Sequence, residues 1–98
     1  MVIVTNVSFP TESAKEMGER FLQVSPLPDF ISRKGPFFSS DNTGVNSLSV
    51  YELDNDKLAE GMTAVSEYIT GFFGVPGFSY EVKVSLEVEE SMKMIGLG

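Results

Sequence analysis

The 98-residue chain contains neither cysteine nor histidine and carries 14 acidic against 7 basic side chains, a formal charge of −7. These absences exclude disulfides, thiolate and imidazole metal sites, cysteine nucleophiles and a serine–histidine–aspartate triad. The acidic balance argues against nucleic-acid and membrane partners, and no segment approaches the roughly 20 apolar residues of a membrane span. The first residues lack the features of a signal peptide. We therefore expect one cytoplasmic domain over residues 1–98, with no metal or other cofactor.

The start of the chain predicts a strand followed by a helix. Residues 2–9 are rich in β-branched side chains with apolar groups on both faces, which is typical of a central strand. Ser13 and Glu16 have the spacing of a capping box at the start of a helix that continues to Gln23. Gly18 lies within the apolar stripe of this helix, where we expect close contact with the sheet.

The middle of the chain predicts a hairpin. Residues 30–40 favour a strand that is interrupted at Gly35-Pro36, so it belongs on a sheet edge or contains a bulge. Residues 39–44 form a turn cluster, and residues 45–53 form the next strand.

The last third predicts a helix and a long strand. An amphipathic stripe begins after Asp54 or Asn55 and stops before Gly74. Strict alternation over residues 78–89 predicts one long strand with a buried face and a solvated face. The apolar tail, residues 91–98, is expected to dock on the domain or on a partner subunit.

The resulting order, β-α-β-β-α-β, is the split βαβ arrangement, in which two helices cover one face of a four-stranded antiparallel sheet. This pattern resembles ferredoxin-like folds and, by its size and long last strand, the dimeric α+β barrel superfamily. The resemblance covers nearly the whole chain but includes no family motif. It implies a homodimer in which two sheets stack around a pocket for a small-molecule ligand.

Candidate ligand-binding residues follow from this resemblance. By alternation, the face opposite the helices is expected to carry Asn6, Tyr51 and Glu81, whose polar groups would line the pocket. Arg33 is a candidate clamp for a carboxylate or phosphate. Each has a simpler structural interpretation: Tyr51 as packing at a strand end, Glu81 as a solvated residue and Arg33 as a surface ion pair. The alternative to a stacked dimer is that the whole face lies in water, which antiparallel sheets tolerate.

Two functions remain open. The first is a homodimeric module that binds a small molecule or serves in assembly, with no chemistry of its own. The alternative is a cofactor-independent enzyme of the monooxygenase or isomerase type, which the barrel resemblance implies. No catalytic residue is assigned. Pairing of two copies through the edge of the last strand is a further alternative to stacked sheets.

Overall fold

The computed structural model describes all residues 1–98 and forms one four-stranded antiparallel sheet with helices. In chain order the elements are β1 (Val2–Phe9), α1 (Ala14–Gln23), β2 (Ser32–Asp41), β3 (Gly44–Glu52), α2 (Leu58–Thr70), β4 (Ser79–Ser85) and α3 (Val88–Met94). Short 3₁₀ turns, Thr11–Ser13 and Asn55–Lys57, lead into α1 and α2. The strand order is β2-β3-β1-β4, so β1 and β3 are central. The α+β class expected from the sequence is confirmed.

Helices α1 and α2 pack on the sheet face formed by the odd-numbered residues of β1. The buried apolar side chains on this face form two separate clusters, and buried Ile69 belongs to neither. The first cluster contains Ile3, Ile31, Tyr51 and Val65, and the second contains Phe9, Met17, Phe72 and Val75. Thr5 and Ser49 lie between the clusters, where they face each other across β1 and β3, and both are buried. Hydroxyl-bearing side chains therefore divide the core at its middle.

Strand β2 is an irregular edge strand, as the sequence predicts. Its pairing with β3 shifts register between Lys34 and Phe37. The cis Gly35-Pro36 bond lies within this shift. Because strand pairing is irregular here, the missing N–H group of proline does not interrupt a regular ladder of hydrogen bonds. Gly35 has a φ of +103°, a conformation that residues with a Cβ rarely adopt.

The turn between β2 and β3 is tighter than the predicted 39–44 cluster, because residues up to Asp41 belong to β2. The Thr43 backbone N–H donates to Asp41 Oδ1 at 2.8 Å, and the Thr43 hydroxyl donates to the same oxygen. These bonds stabilise the carboxylate, so the pKa of Asp41 lies below its ordinary value, with the hydroxyl as the main cause.

Strand β4 is shorter than the alternation of residues 78–89 predicted. It ends at Ser85, which pairs with Val2, the first residue of β1. Beyond Ser85 there is no neighbouring strand to satisfy the backbone groups, so an extended conformation is no longer favoured. The chain instead forms α3, whose first turn is stabilised by the Glu87 backbone N–H donating to the Glu90 carboxylate at 2.9 Å.

Two expectations about α1 are wrong. Ser13 does not cap the helix; its hydroxyl donates to the Pro76 carbonyl oxygen at 2.6 Å and ties the start of α1 to the loop after α2. Gly18 makes no close contact with the sheet, since a Cβ built there meets nothing within 4 Å. The close approach occurs at Gly61 in α2 instead, where a Cβ would collide with the Leu53 side chain.

The C-terminal segment leaves its apolar side chains uncovered. Met94, Ile95 and Leu97 are 74%, 71% and 65% exposed. The docking site expected for residues 91–98 is therefore not provided by their own domain. No helix of the protein combines the length and the apolar character that crossing a bilayer requires.

Candidate functional site

A cavity of about 710 Å³ lies between the helices and the sheet, over the gap that divides the core. Its floor carries the hydroxyl groups of Thr5, Ser47, Ser49 and Tyr51. The Thr5 hydroxyl donates to the Tyr51 hydroxyl at 3.4 Å, whereas the two serine hydroxyls bond no protein group. The central strands thus present free hydroxyls to the interior of the cavity.

Largely apolar walls surround this floor. Eleven of the 19 lining residues are hydrophobic. The walls are formed on α1 by Ala14, Met17, Gly18 and Phe21, on the α2 side by Tyr68, Ile69 and Phe72, and on β2 by Arg33, Pro36, Phe38, Ser39 and Ser40. An apolar lining with a few polar groups, in a space of roughly 300–1,000 Å³, is typical of sites for small molecules.

Gly18 keeps the α1 wall open. It lies one helical turn from Ala14 and Phe21, so all three share the helix face that lines the cavity. Because nothing lies within 4 Å of a Cβ at position 18, the missing side chain adds directly to the space. Glycine weakens a helix by about 1 kcal/mol relative to alanine, and at position 18 it leaves space in the cavity.

Arg33 is the one charged side chain of the lining. It extends from β2, directly opposite Tyr51 on β3. Its guanidinium carbon lies 5.7 Å from the ring centroid of Phe21 and 5.5 Å from that of Tyr68, and it donates to the Tyr68 hydroxyl at 3.0 Å. Two cation–π contacts and one hydrogen bond hold the guanidinium at the cavity wall.

Tyr68 remains a neutral phenol in this environment. Burial raises its pKa above the ordinary tyrosine value, and the hydrogen bond and positive charge of Arg33 only partly oppose this effect. Since the phenol oxygen accepts the hydrogen bond from Arg33, its own proton stays available to a further acceptor.

The structure separates the four candidate residues into two pairs. Tyr51 and Arg33 both line the cavity on the helix side. Asn6 and Glu81 face each other across β1 and β4 on the opposite, open face of the sheet, and both are exposed. Glu81 forms an ion pair with Lys83 at 2.9 Å, so it is the solvated residue of the simpler interpretation. The four residues do not form one site.

The expected site was wrong because the two faces of β3 are the reverse of those predicted. Alternation predicted Tyr51 on the open face, but Tyr51 pairs with Ile3 and points toward the helices, 2% exposed. Leu48 lies on the open face instead and is 41% exposed. The missed signal is that Val45, Tyr51 and Leu53 lie on the same side of the strand. These three apolar side chains indicate the core face, although two serines lie between them on that side.

The cavity offers binding groups and few groups for acid–base chemistry. Its lining includes no aspartate, glutamate, lysine or histidine. No group of three or more carboxylates that could hold a metal ion exists in the protein. Hydroxyls, one guanidinium and aromatic rings recognise a ligand by hydrogen bonding, charge and apolar contact.

Comparisons with protein-family models, curated proteins and solved structures found no match to this chain.

Proposed function

We propose that the protein is a small-molecule-binding module whose ligand occupies the cavity between the helices and the sheet. The observation that carries this proposal is the divided core. A 98-residue domain has little apolar surface to spare, yet hydroxyls and Gly18 leave about 710 Å³ open beside its core, with Gly18 and Phe38 exposed at the edge of this space. A ligand with an apolar body fills this space and joins the two apolar clusters.

A binding role is better supported than the enzymatic alternative. An enzyme without a cofactor needs converging groups that transfer protons or act as nucleophiles. Asn6 and Glu81 lie on the other side of the sheet from Tyr51, and Tyr68 is held in its protonated form. The lining can therefore orient a ligand but offers no carboxylate or imidazole base.

Binding of a neutral fluorescent probe tests the proposal. N-phenyl-1-naphthylamine gains fluorescence in apolar sites, so we expect saturable binding to the wild-type protein at one site per chain. Gly18→Leu places a side chain in the cavity and is expected to abolish this binding. Ala59→Leu adds the same side chain at an exposed position of α2 outside the cavity, and it serves as the matched control. Binding that persists in Gly18→Leu would place the probe elsewhere and contradict the proposal.

The strand order supports a finer assignment of the fold, to the ferredoxin-like arrangement. In that arrangement the two β-α-β units interleave, so that each unit inserts a strand between the two strands of the other. The order β2-β3-β1-β4 fulfils this condition, because β3 lies between β1 and β2, and β1 lies between β3 and β4. Helix α3 is an addition to this arrangement.

We further propose that the protein is a homodimer whose subunits stack through the open face of the sheet. The centre of this face carries the apolar side chains of Val2, Val4, Leu48 and Val50, with Asn6 directly opposite Leu48. Ion pairs flank the centre on both sides: Lys34 with Glu52 at 3.2 Å, and Lys83 with Glu81 at 2.9 Å. Because each rim carries both signs of charge, a second copy related by a two-fold axis can place lysines against glutamates.

Light scattering coupled to size-exclusion chromatography tests the dimer. We expect the wild-type protein to have twice the mass of one chain, and Leu48→Lys, which places a charge in the apolar centre, to be monomeric. Ser66→Lys adds the same charge on an exposed part of α2 and is expected to remain dimeric. A monomeric wild type refutes the dimer. A dimer that survives Leu48→Lys and is lost on deletion of residues 91–98 assigns the interface to the exposed tail instead.

A further inference from the structure

Arg33 differs from every other basic side chain in the protein. Arg20, Lys34, Lys57 and Lys83 each form an ion pair with a glutamate. The two remaining lysines, Lys15 and Lys93, are exposed to solvent. Only Arg33 is both partly buried and without an acidic partner.

This lack of a partner is notable because acidic residues are abundant. The protein carries 14 carboxylate side chains and only 7 basic ones, yet none of these carboxylates lines the cavity. A partly buried charge is destabilising unless it is paired or hydrogen-bonded. Within the chain, Arg33 uses only one of its N–H donors as a hydrogen bond, to Tyr68, so the remaining donors are available at the cavity wall.

The contacts of Arg33 also fix its orientation. The guanidinium carbon lies 5.7 Å from the ring centroid of Phe21 and 5.5 Å from that of Tyr68. The Tyr68 hydroxyl accepts a hydrogen bond from the guanidinium at 3.0 Å. Less side-chain entropy is then lost when a ligand binds, because the guanidinium is already held in place. The Tyr68 proton is a second donor beside it.

We infer that the ligand of this cavity is a monocarboxylate with an apolar body, and that its carboxylate pairs with the Arg33 guanidinium. The inference rests on the proposed binding function and specifies its ligand class. A guanidinium presents parallel N–H donors that match the two oxygens of a carboxylate. A phosphate monoester carries about two negative charges near neutral pH, and a single arginine with no further cation leaves one of them uncompensated. The apolar walls then accept the remainder of the molecule.

Matched acids and amides test the inference by isothermal titration calorimetry. We use benzoate, 2-naphthoate and 9-anthroate, each against its neutral primary amide, which has the same shape and no charge. For the best-fitting ring system, we expect the acid to bind the wild-type protein about ten- to a hundredfold more tightly than the amide. Arg33→Gln is expected to remove this preference, so that acid and amide bind with similar affinity. Lys15→Gln, which removes the same charge from the exposed side of α1, is expected to retain the preference.

The outcomes separate the inference from the proposal on which it rests. Equal affinities of acids and amides, with probe binding intact, overturn the carboxylate inference and leave the binding cavity in place. An acid preference that persists in Arg33→Gln also overturns it, since the anion site would then lie elsewhere. Failure of the wild-type protein to bind acids, amides and the neutral probe refutes both the inference and the proposed function.

Discussion

Replacement of Gly18 by alanine should stabilise the protein. Gly18 lies in the interior of α1, where glycine is less favourable than alanine by about 0.5–1 kcal/mol because its unfolded backbone is more flexible. Since a Cβ at this position meets nothing within 4 Å, no steric penalty opposes the gain. We expect the free energy of unfolding to rise by about 0.5–1 kcal/mol, which corresponds to an increase in Tm of about 2–8 °C for a domain of this size.

Gly61→Ala is the matched control for this prediction. Gly61 also lies within a helix, α2, so the change in helix propensity is the same. A Cβ at Gly61, however, would collide with Leu53 and approach Ile3 Cδ1 to 3.3 Å, so both side chains must shift. Urea denaturation monitored by circular dichroism should show a clear gain for Gly18→Ala and a smaller gain, or a loss, for Gly61→Ala. If Gly18→Ala is destabilising, position 18 packs against the sheet after all, and the open α1 wall does not exist.

Three further perturbations test other parts of the structure. Arg20→Ala should lower the free energy of unfolding by about 1–3 kcal/mol, because the guanidinium donates to two backbone carbonyl oxygens just beyond α2 at 3.1 and 3.0 Å; an unchanged urea midpoint would contradict this role. Thr43→Val should raise the pKa of Asp41 toward its ordinary value in NMR titrations, because the hydroxyl bond that lowers it is lost. The lowered pKa means that this carboxylate stabilises the fold above the ordinary aspartate pKa, and that the contribution disappears as the pH falls through the folded-state value. Deletion of residues 91–98 should change the stability of a single chain by less than about 0.5 kcal/mol, since its apolar side chains are exposed; a large drop in the urea midpoint would show that they are covered.

The strands and helices were predictable wherever one local rule dominated. Phe9 is followed by Pro10 and ends β1 as expected, and the Gly35-Pro36 interruption correctly placed β2 at an edge. The length of β4 was not predictable from its alternation, because its end depends on where β1 begins, and a partner strand is not visible in a local pattern. Local signals thus predicted the four strands and two of the three helices but not α3, and tertiary pairing decided the limits of the strands.

The site was harder to predict than the fold. The helix predicted around Ser13 and Gly18 is present. The contacts of these two residues depend on which parts of the fold lie next to them, and periodicity does not show this. The assignment of Tyr51 to the open face grouped it with the two serines of the same parity in β3. It failed because serine hydroxyls can also line a cavity inside the domain. The cavity could not be found from a rule that treats every polar strand position as solvated.

The divided core makes one last prediction about stability and binding together. Ser49 is 5% exposed and its hydroxyl bonds no protein group, so Ser49→Val removes no hydrogen bond within the chain. Valine adds apolar area between the two clusters and is favoured in strands. We therefore expect the free energy of unfolding to rise by about 0.5–1.5 kcal/mol, while affinity for polar ligands falls.

Thr5→Val is the contrasting variant on the same floor. It keeps the shape of the side chain but removes the hydroxyl that bonds Tyr51 at 3.4 Å, so the buried Tyr51 hydroxyl loses its partner. This loss should destabilise the protein by about 1–2 kcal/mol. Opposite effects of the two substitutions in urea denaturation would show that the floor contains both a structural hydroxyl pair and a free hydroxyl open to a ligand. A destabilising Ser49→Val would mean instead that the Ser49 hydroxyl is needed for the fold itself, and the divided core would then have a structural cause.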